Sequence, residues 1–517
     1  MEDVAYSLSK ELVWGEILAR QARKIPHKTA LVFEGKNFSY RELNARVNRL
    51  SHALLAEGVR RGEKVAFVLY NGNESLESYF AAFKLGAVAV PLNYRLAAAE
   101  MEYALNNSEA KVFIYDQELE GTIEKIEWAN TSVQKKLSVG LTGEYESWIA
   151  GHEAKEPLIP VKDDDPAIIM YTSGTTGRPK GAVLTHKNLY VQITNWALLM
   201  QLTAHACYYS PAPLFHIAGI GSVLPHLFVG AKNVLTRLYR PEETLQLIEK
   251  ERITGMNLVP TMWIELLNHK KLDAYDISSL RNCHSGGAIV PVEIKKKIIG
   301  MGMKYTEAFG QTEMSPSVTH LFPEDAIRKT DSVGQAMLNV EIRVVDDLDR
   351  DVPVGKTGEA IYRGPNSMLE YYRAPEATAE AYKGGWFHSG DLVRMDEDGF
   401  VYVAGRKKDM IISGGENIYP KEIEEVLYQD PRILDAAVLG LPDPKWGENV
   451  TAVVVLKPGM TMTAEDIVEV CTKHLASYKK PKRVLFVDAL MRNSAGKVVK
   501  NQIRAHYVKE LGLQELK

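Results

Sequence analysis

Between residues 29 and 116 the chain alternates short apolar runs with longer stretches in which apolar residues recur at helical spacing. TALVF (Thr29 to Phe33), KVAFVLY (Lys64 to Tyr70), AVAVPLN (Ala87 to Asn93) and KVFIYD (Lys111 to Asp116) have the length and side chains of buried strands. Between the first two, Leu43, Val47, Leu50 and Leu54 share one helical face, and Ser39 with Glu42 three residues later forms a capping box. This alternation predicts parallel βαβ units and hence a layered α/β domain. The pattern resumes after residue 181, through AGIGSVLPHLFVGAK, NVLTRL, a helix at Pro241 to Glu251 and TGMNLVP. From about Asn339 it shortens to VEIRVVD, GEAIYRG and GFVYVAGR, with Gly and Asp between them, which predicts a β-rich subdomain. Beyond Arg406 comes an α+β segment: a helix at Pro420 to Tyr428, strands AAVLGLP and ENVTAVVVLK, a helix at Ala464 to Leu475 and a basic tail. The expected division is a large N-terminal domain over 1–406 and a small C-terminal α+β domain over 407–517, with the boundary at Arg406 to Lys408.

Composition narrows the class without naming the chemistry. At 517 residues, 45% apolar and 25% charged, the chain is an ordinary globular protein with room for several cores. A net charge of −4 leaves no broad basic surface for a nucleic acid. Cys207, Cys283 and Cys471 are widely spaced, so neither a disulfide framework nor a zinc site is expected. The N-terminus lacks the pattern of a signal peptide, and no apolar run is long enough for a membrane span. A cytoplasmic protein is expected, with room left for peripheral membrane contact and for a homodimer.

One run carries candidate chemistry by itself. In YTSGTTGRPKG, Tyr171 to Gly181, the hydroxyls of Thr172, Ser173, Thr175 and Thr176 surround Gly174 and Gly177, and Lys180 adds a point charge. Glycine-rich backbone, hydroxyl donors and an ammonium suit a phosphate group. The order GxxxxGK[ST] is absent, so a nucleotide held here is held in another fold. With Pro179 in the run, a plain turn between two apolar segments is an equal reading.

Five later clusters decide between these readings: SGGA (Ser285 to Ala288), EAFGQTE (Glu307 to Glu313), WFHSGD (Trp386 to Asp391), GRKKDMIISGGENIYP (Gly405 to Pro420) and NSAGKVVK (Asn493 to Lys500). In this order, behind YTSGTTGRPKG, they resemble the adenylate-forming superfamily of acyl-CoA synthetases, luciferases and peptide-synthetase adenylation domains. The resemblance spans nearly the whole chain. It implies ATP, Mg²⁺ and coenzyme A as cosubstrates, a small-molecule carboxylic acid as partner, and a mobile C-terminal lid.

The resemblance also implies roles for particular residues. Glu313 would hold Mg²⁺ against ATP phosphates, a task for hard oxygen ligands, with Thr172 as second metal contact. Gly286, Gly287 and Ala288 would line adenine, with Phe309 stacked on it where relatives commonly have tyrosine, and Gly310, Gln311 and Thr312 beside it. Asp391 and Arg406 would hold the ribose. Lys497 would neutralise charge as the carboxylate meets the α-phosphate. Lys408 would be the interdomain hinge, Ser413, Gly414 and Gly415 a wall of the pantetheine tunnel, and Trp446 a platform for the coenzyme's adenine. The run KHLASYKKPKR, Lys473 to Arg483, and Lys445 read either as contacts to the coenzyme's phosphates or as a solvated charged face.

The acid itself is marked only by PLFHIAGIGS and NLVPTMW. Small and apolar residues follow His216, which would gate the pocket, orient the carboxylate or simply pack. With LSHALL and AVAVPLNYRL, the pattern most resembles bacterial medium- to long-chain fatty acyl-CoA synthetases, and aryl-CoA ligases for benzoate- or cinnamate-like acids are the runner-up.

Overall fold

The computed structural model describes residues 2–172, 179–287, 290–493 and 497–514. The chain divides into two compact units, one of Met1–Ile342 with Tyr362–Phe387 and one of Arg343–Ile361 with His388–Lys517.

The first unit contains two large sheets. The seven-stranded sheet runs Glu370–Tyr371, Lys180–Thr185, Pro166–Thr172, Val88–Pro91, Lys64–Val68, Ala110–Asp116 and Lys135–Val139. Its last five strands are mutually parallel, and the first two are antiparallel additions at one edge. Val68, Val90, Phe113, Ile169 and Val183 pack with Met101 and Leu105 of the helix Ala98–Ser108 to make its core. The nine-stranded sheet runs Gln335–Ala336, Thr319–Leu321, Lys304–Phe309, Asn282–Gly286, Gly255–Asn257, Cys207–Tyr209, Lys232–Leu235, Thr29–Phe33 and Lys36–Ser39. Its six central strands are parallel. In such a sheet ligands bind outside the carboxyl ends of the strands, because there the loops diverge and leave a crevice.

The capping box forms as expected, with Ser39 accepting from the Glu42 amide and Glu42 accepting from Ser39 at the start of the helix Tyr40–Ala56. The strands flanking that helix do not pair with each other. Thr29–Phe33 belongs to the nine-stranded sheet and Lys64–Val68 to the seven-stranded one. Glu34 and Gly35, both at positive φ, turn the chain into an antiparallel hairpin with Lys36–Ser39, and this reversal precedes the helix. The first predicted βαβ unit is thus a crossover between sheets.

After Asn339, where the short runs predict a β-rich subdomain, Glu341–Val345, Gly358–Arg363, Phe387–Met395 and Val401–Arg406 form a four-stranded sheet. A further sheet joins Glu416–Ile418, Ile411–Ser413, Gly447–Leu456 and Ile433–Asp443, with Arg483–Phe486 parallel to Gly447–Leu456. Ile423, Leu427, Ile467 and Cys471 from the helices Pro420–Leu427 and Ala464–His474 cover one cluster of its apolar residues. The expected basic tail is in part a helix, Lys500–Glu510, which buries Ile503 against Leu439 and Val453.

All three cysteines are buried free thiols. Burial pushes Cys207 and Cys471 up to about 11, which fits inert side chains. Among the described residues no helix is long and apolar enough to cross a membrane.

Candidate active site

Two strands flank the Gly/Thr run in the chain. Pro166–Thr172 and Lys180–Thr185 pair antiparallel, with Thr172 opposite Lys180 and Tyr171 opposite Gly181. Ser173, Gly174, Thr175, Thr176 and Gly177 lie outside the described residues, as does Ala288 of the proposed adenine wall. The strand pair sets Thr172 and Lys180 side by side as its last pair before the run's remaining residues, and the Thr172 hydroxyl donates to the Lys180 carbonyl at 3.4 Å. The Lys180 ammonium stands 5.2 Å from the ring centre of Tyr371, whose strand pairs with Lys180–Thr185 on its free edge.

Glu313 sits in the single turn Thr312–Met314 that follows the strand Lys304–Phe309. Its side chain is buried, and Oε1 accepts a 2.8 Å hydrogen bond from the Tyr371 hydroxyl. Residue 313 and residue 180 therefore converge on one tyrosine, although 133 positions separate them in the chain. Nearby, Gln311 Nε2 is buried with no protein partner among the described residues, a donor awaiting an acceptor. A hard carboxylate, a hydroxyl, an ammonium and an orphaned amide donor suit a magnesium nucleotide. Among the described residues no three His, Cys, Asp or Glu side chains cluster to hold a cation alone, so phosphate oxygens and water would complete its shell.

Gly286 and Phe309 end adjacent parallel strands, with Gly286 opposite Ala308. Gly287, exposed and at φ +81, turns the chain away from the sheet. This places the proposed adenine residues at the carboxyl edge. His216 is the residue preceding the helix Ile217–Phe228, its ring 4.7 Å from that of Phe215.

At the same edge lie Ser222, the last residue of PLFHIAGIGS, and Asn257, the first of NLVPTMW, neither of which had a role of its own assigned from the sequence. Asn257 ends the strand Gly255–Asn257, and its Nδ2 donates to Ser222 Oγ at 3.1 Å. Ser222 in turn donates to the Ala218 carbonyl at 2.6 Å, one helical turn back. Ala218 is exposed and Ser222 and Asn257 half-buried, so this helix face opens outward. The Asn257 amide oxygen has no partner among the described residues. An Asn closing a strand at a parallel sheet's carboxyl edge was the available signal.

The second unit brings Asp391 and Arg406 together. They oppose each other in the antiparallel strands Phe387–Met395 and Val401–Arg406, and Arg406 Nε meets Asp391 Oδ1 at 2.6 Å. The Asp391 amide donates to Ser389 Oγ, which donates to the Ala360 carbonyl, so the carboxylate is set by the backbone. Lys408 is exposed in the turn Lys407–Asp409, while its neighbour Lys407 is tied to Glu359 and Asp347. Ser413, Gly414 and Gly415 form the tip of the hairpin Ile411–Ile418. Gly414, at φ +62, donates its amide to the Trp446 carbonyl, and a Cβ there would come 2.7 Å from the Trp446 ring. That ring is 40% exposed with the Lys482 ammonium 3.8 Å and the Lys445 ammonium 4.8 Å from its centre, so part of the basic run does flank Trp446. Lys497 is exposed beside the bridge Arg492–Val498, and its amide donates to Asn493 Oδ1 at 2.9 Å.

Comparison with known proteins shows the family. A family model described as AMP-binding enzyme matches residues 18–372, and one for the AMP-binding enzyme C-terminal domain matches 422–497. A feruloyl-CoA synthase from an Amycolatopsis species is 40% identical over 94% of this chain and 98% of its own. An indoleacetate–CoA ligase from Aromatoleum aromaticum is 38% identical over 95% and 97%. Among solved structures, a Mycobacterium tuberculosis fatty acyl CoA synthetase superposes with TM-score 0.80 at 32% identity, over 96% of this chain and 99% of that one. The o-succinylbenzoate coenzyme A synthetase of Bacillus subtilis, solved with ATP and magnesium ion, gives 0.85 at 30% identity over 94% and 98%.

Proposed function

The chain belongs to the AMP-binding enzyme family and is an AMP-forming acid–thiol ligase that uses ATP, Mg²⁺ and coenzyme A, and from that premise we propose that its acid is aromatic, with a hydrogen-bond donor on the ring. The Ser222–Asn257 pair carries this reading. The amide oxygen of half-buried Asn257, without a partner among the described residues and at the carboxyl edge of the sheet beside the small residues that follow His216, would accept from a phenol or an indole N–H and has nothing to offer a methylene chain. Ferulate and indoleacetate, the acids named for the two relatives above, each bear such a donor. The fatty-acid reading rests on the same small apolar stretch and on the mycobacterial fatty acyl CoA synthetase.

In this proposal the carboxylate attacks the α-phosphorus of ATP, pyrophosphate leaves, and the coenzyme A thiol then displaces AMP from the acyl-adenylate. No side chain serves as nucleophile. Lys180, Thr172 and the loop 173–177 grip the β- and γ-phosphates. Lys497 supplies charge to the reacting carboxylate and α-phosphate. Asp391 accepts from the ribose hydroxyls while Arg406 holds it in place. Glu313 and Thr172 hold Mg²⁺, which when bound neutralises phosphate charge. His216 borders the acid. Lys408 marks the turning point of the segment 407–517 between half-reactions, and Gly414, Gly415, Trp446, Lys445 and Lys482 meet coenzyme A.

A panel of hydroxycinnamates, cinnamate, benzoate, indoleacetate, octanoate and palmitate, followed by pyrophosphate release with coenzyme A present, tests the substrate. Donor-bearing aryl acids are expected to lead in kcat/KM, and Asn257→Leu to erase their lead over cinnamate by about tenfold. Octanoate or palmitate ahead of every aryl acid would refute the proposal.

A further inference from the structure

The segment Asn366–Tyr372 laces two motifs together. On one side it follows the strand leaving the phosphate hairpin: Leu369 N donates to Val183 O at 2.8 Å, Tyr372 N to Gly181 O at 2.7 Å, and Tyr371 stands opposite Ala182. On the other it grips the turn carrying Glu313. Met368 N donates to Glu313 O at 2.7 Å, Asn366 Nδ2 to Met314 O at 2.9 Å, and Ser315 Oγ to Asn366 O at 2.8 Å. Tyr371 is where the two sides meet through a side chain. Its ring lies near the Lys180 ammonium and its hydroxyl is on Glu313 Oε1.

We propose that Tyr371 is a positioning residue that sets the carboxylate of Glu313 for the cation and, with its ring, the ammonium of Lys180 for the phosphates. This rests on the reading that Glu313 holds Mg²⁺. The chemical need is specific. Mg²⁺ demands near-octahedral oxygen geometry, so a carboxylate free to rotate about its last torsion loses binding that a fixed one keeps. One oxygen of Glu313 is committed to the phenol, which orients the other. The backbone pairing that anchors Tyr371 beside Ala182 ties that orientation to the hairpin bearing Lys180 and Thr172. Metal-binding and phosphate-binding groups thereby keep a set spacing, although each comes from a different part of the chain.

The two contacts of Tyr371 can be removed separately. Tyr371→Phe keeps the ring and deletes one hydroxyl, whereas Tyr371→Leu deletes both contacts. The measurement is calorimetric binding of a non-hydrolysable α,β-methylene ATP analogue to the full chain, with saturating Mn²⁺ and again in EDTA, beside Glu313→Gln. Tyr371→Phe is expected to weaken Mn²⁺-dependent binding about tenfold and leave binding in EDTA unchanged. Tyr371→Leu is expected to weaken both. KM for the acid stays at the parent value in Tyr371→Phe, which a general loss of structure would not allow. If Glu313→Gln reduces the Mn²⁺ effect and Tyr371→Phe does not, the role of Tyr371 is wrong. If Glu313→Gln leaves the Mn²⁺ effect intact, the assignment of Glu313 itself fails. Weakening by Tyr371→Phe equally with and without Mn²⁺ would also overturn the proposal.

Discussion

Breaking the ion pair between Lys295 and Glu307 should damage the larger unit more than any surface change. Lys295 Nζ lies 2.7 Å from Glu307 Oε2, and the side chains are 1% and 3% exposed. The ammonium also donates to the Thr330 carbonyl at 2.7 Å, and the Tyr305 hydroxyl donates to the same Glu307 oxygen at 3.1 Å. The pair joins the helix Val292–Gly300 to the strand Lys304–Phe309 that leads to Glu313. Lys295→Met would leave a buried carboxylate with its countercharge gone, a loss of about 3–5 kcal/mol. Replacing both partners by apolar groups, as in Lys295→Met/Glu307→Leu, should recover most of that loss, because a buried pair nearly breaks even against its own desolvation. All tryptophans except Trp446 lie in the larger unit, so their fluorescence in urea follows its unfolding. With a slope of about 3 kcal/mol per molar, the midpoint of the single variant should fall by about 1 M or more. A shift under about 0.3 M, or a double variant as unstable as the single one, would refute the argument.

Glu74 gives a pH test. Burial, and then the neighbouring Glu77, raise its carboxyl to about 7 from 4.5. Its contribution to stability is full below pH 4.5 and is lost as pH rises through about 7. Glu74→Gln should therefore gain on the parent by roughly 2–3 kcal/mol between pH 5 and pH 8, and a difference independent of pH in urea titrations would refute it. Lys497→Ala should lower acyl-AMP formation by about a hundredfold or more and spare thioester formation from supplied acyl-AMP; equal losses in single-turnover assays would count against its role. A Cβ on Gly219 would meet the Pro213 carbonyl oxygen at 2.1 Å and displace the turn bearing His216. Gly219→Ala is thus expected to raise KM for the acid and leave KM for ATP alone; an unchanged KM for the acid would show that His216 lies away from the pocket.

The fold was legible wherever the deciding contacts are local. The capping box at Ser39 and Glu42 and the buried strands need only near neighbours along the chain. Sheet membership of Thr29–Phe33 was hidden because a two-residue turn at Glu34 and Gly35 inserts an edge strand before the helix. The site divides in the same way. Asp391 and Arg406 were each marked by a motif, and antiparallel register then makes them partners. Tyr371 lies in none of the motifs, and Asn257 opens NLVPTMW with no role of its own assigned there. Their importance comes from contacts with Glu313 and Ser222, 58 and 35 residues away, which no spacing rule reports.

On the proposed function, the paired strands Pro166–Thr172 and Lys180–Thr185 also bear on the composition of the Gly/Thr run. In a loop that opens a helix, the helix's free amides and dipole favour an anion, and the loop needs little beyond glycine and a lysine. Here the segment after Lys180 is a strand whose amides are committed to the neighbours Pro166–Thr172 and Glu370–Tyr371. A strand has little net dipole and offers no row of free donors at its end. On the proposed function a phosphate here gains nothing from a helix end, which fits a run that adds four Ser/Thr hydroxyls and a lysine to its glycines. Side-chain donors are also less preorganised than backbone amides. Their precision depends on what braces the hairpin from outside, and that support comes through the edge strand of Tyr371, which also ends on Glu313.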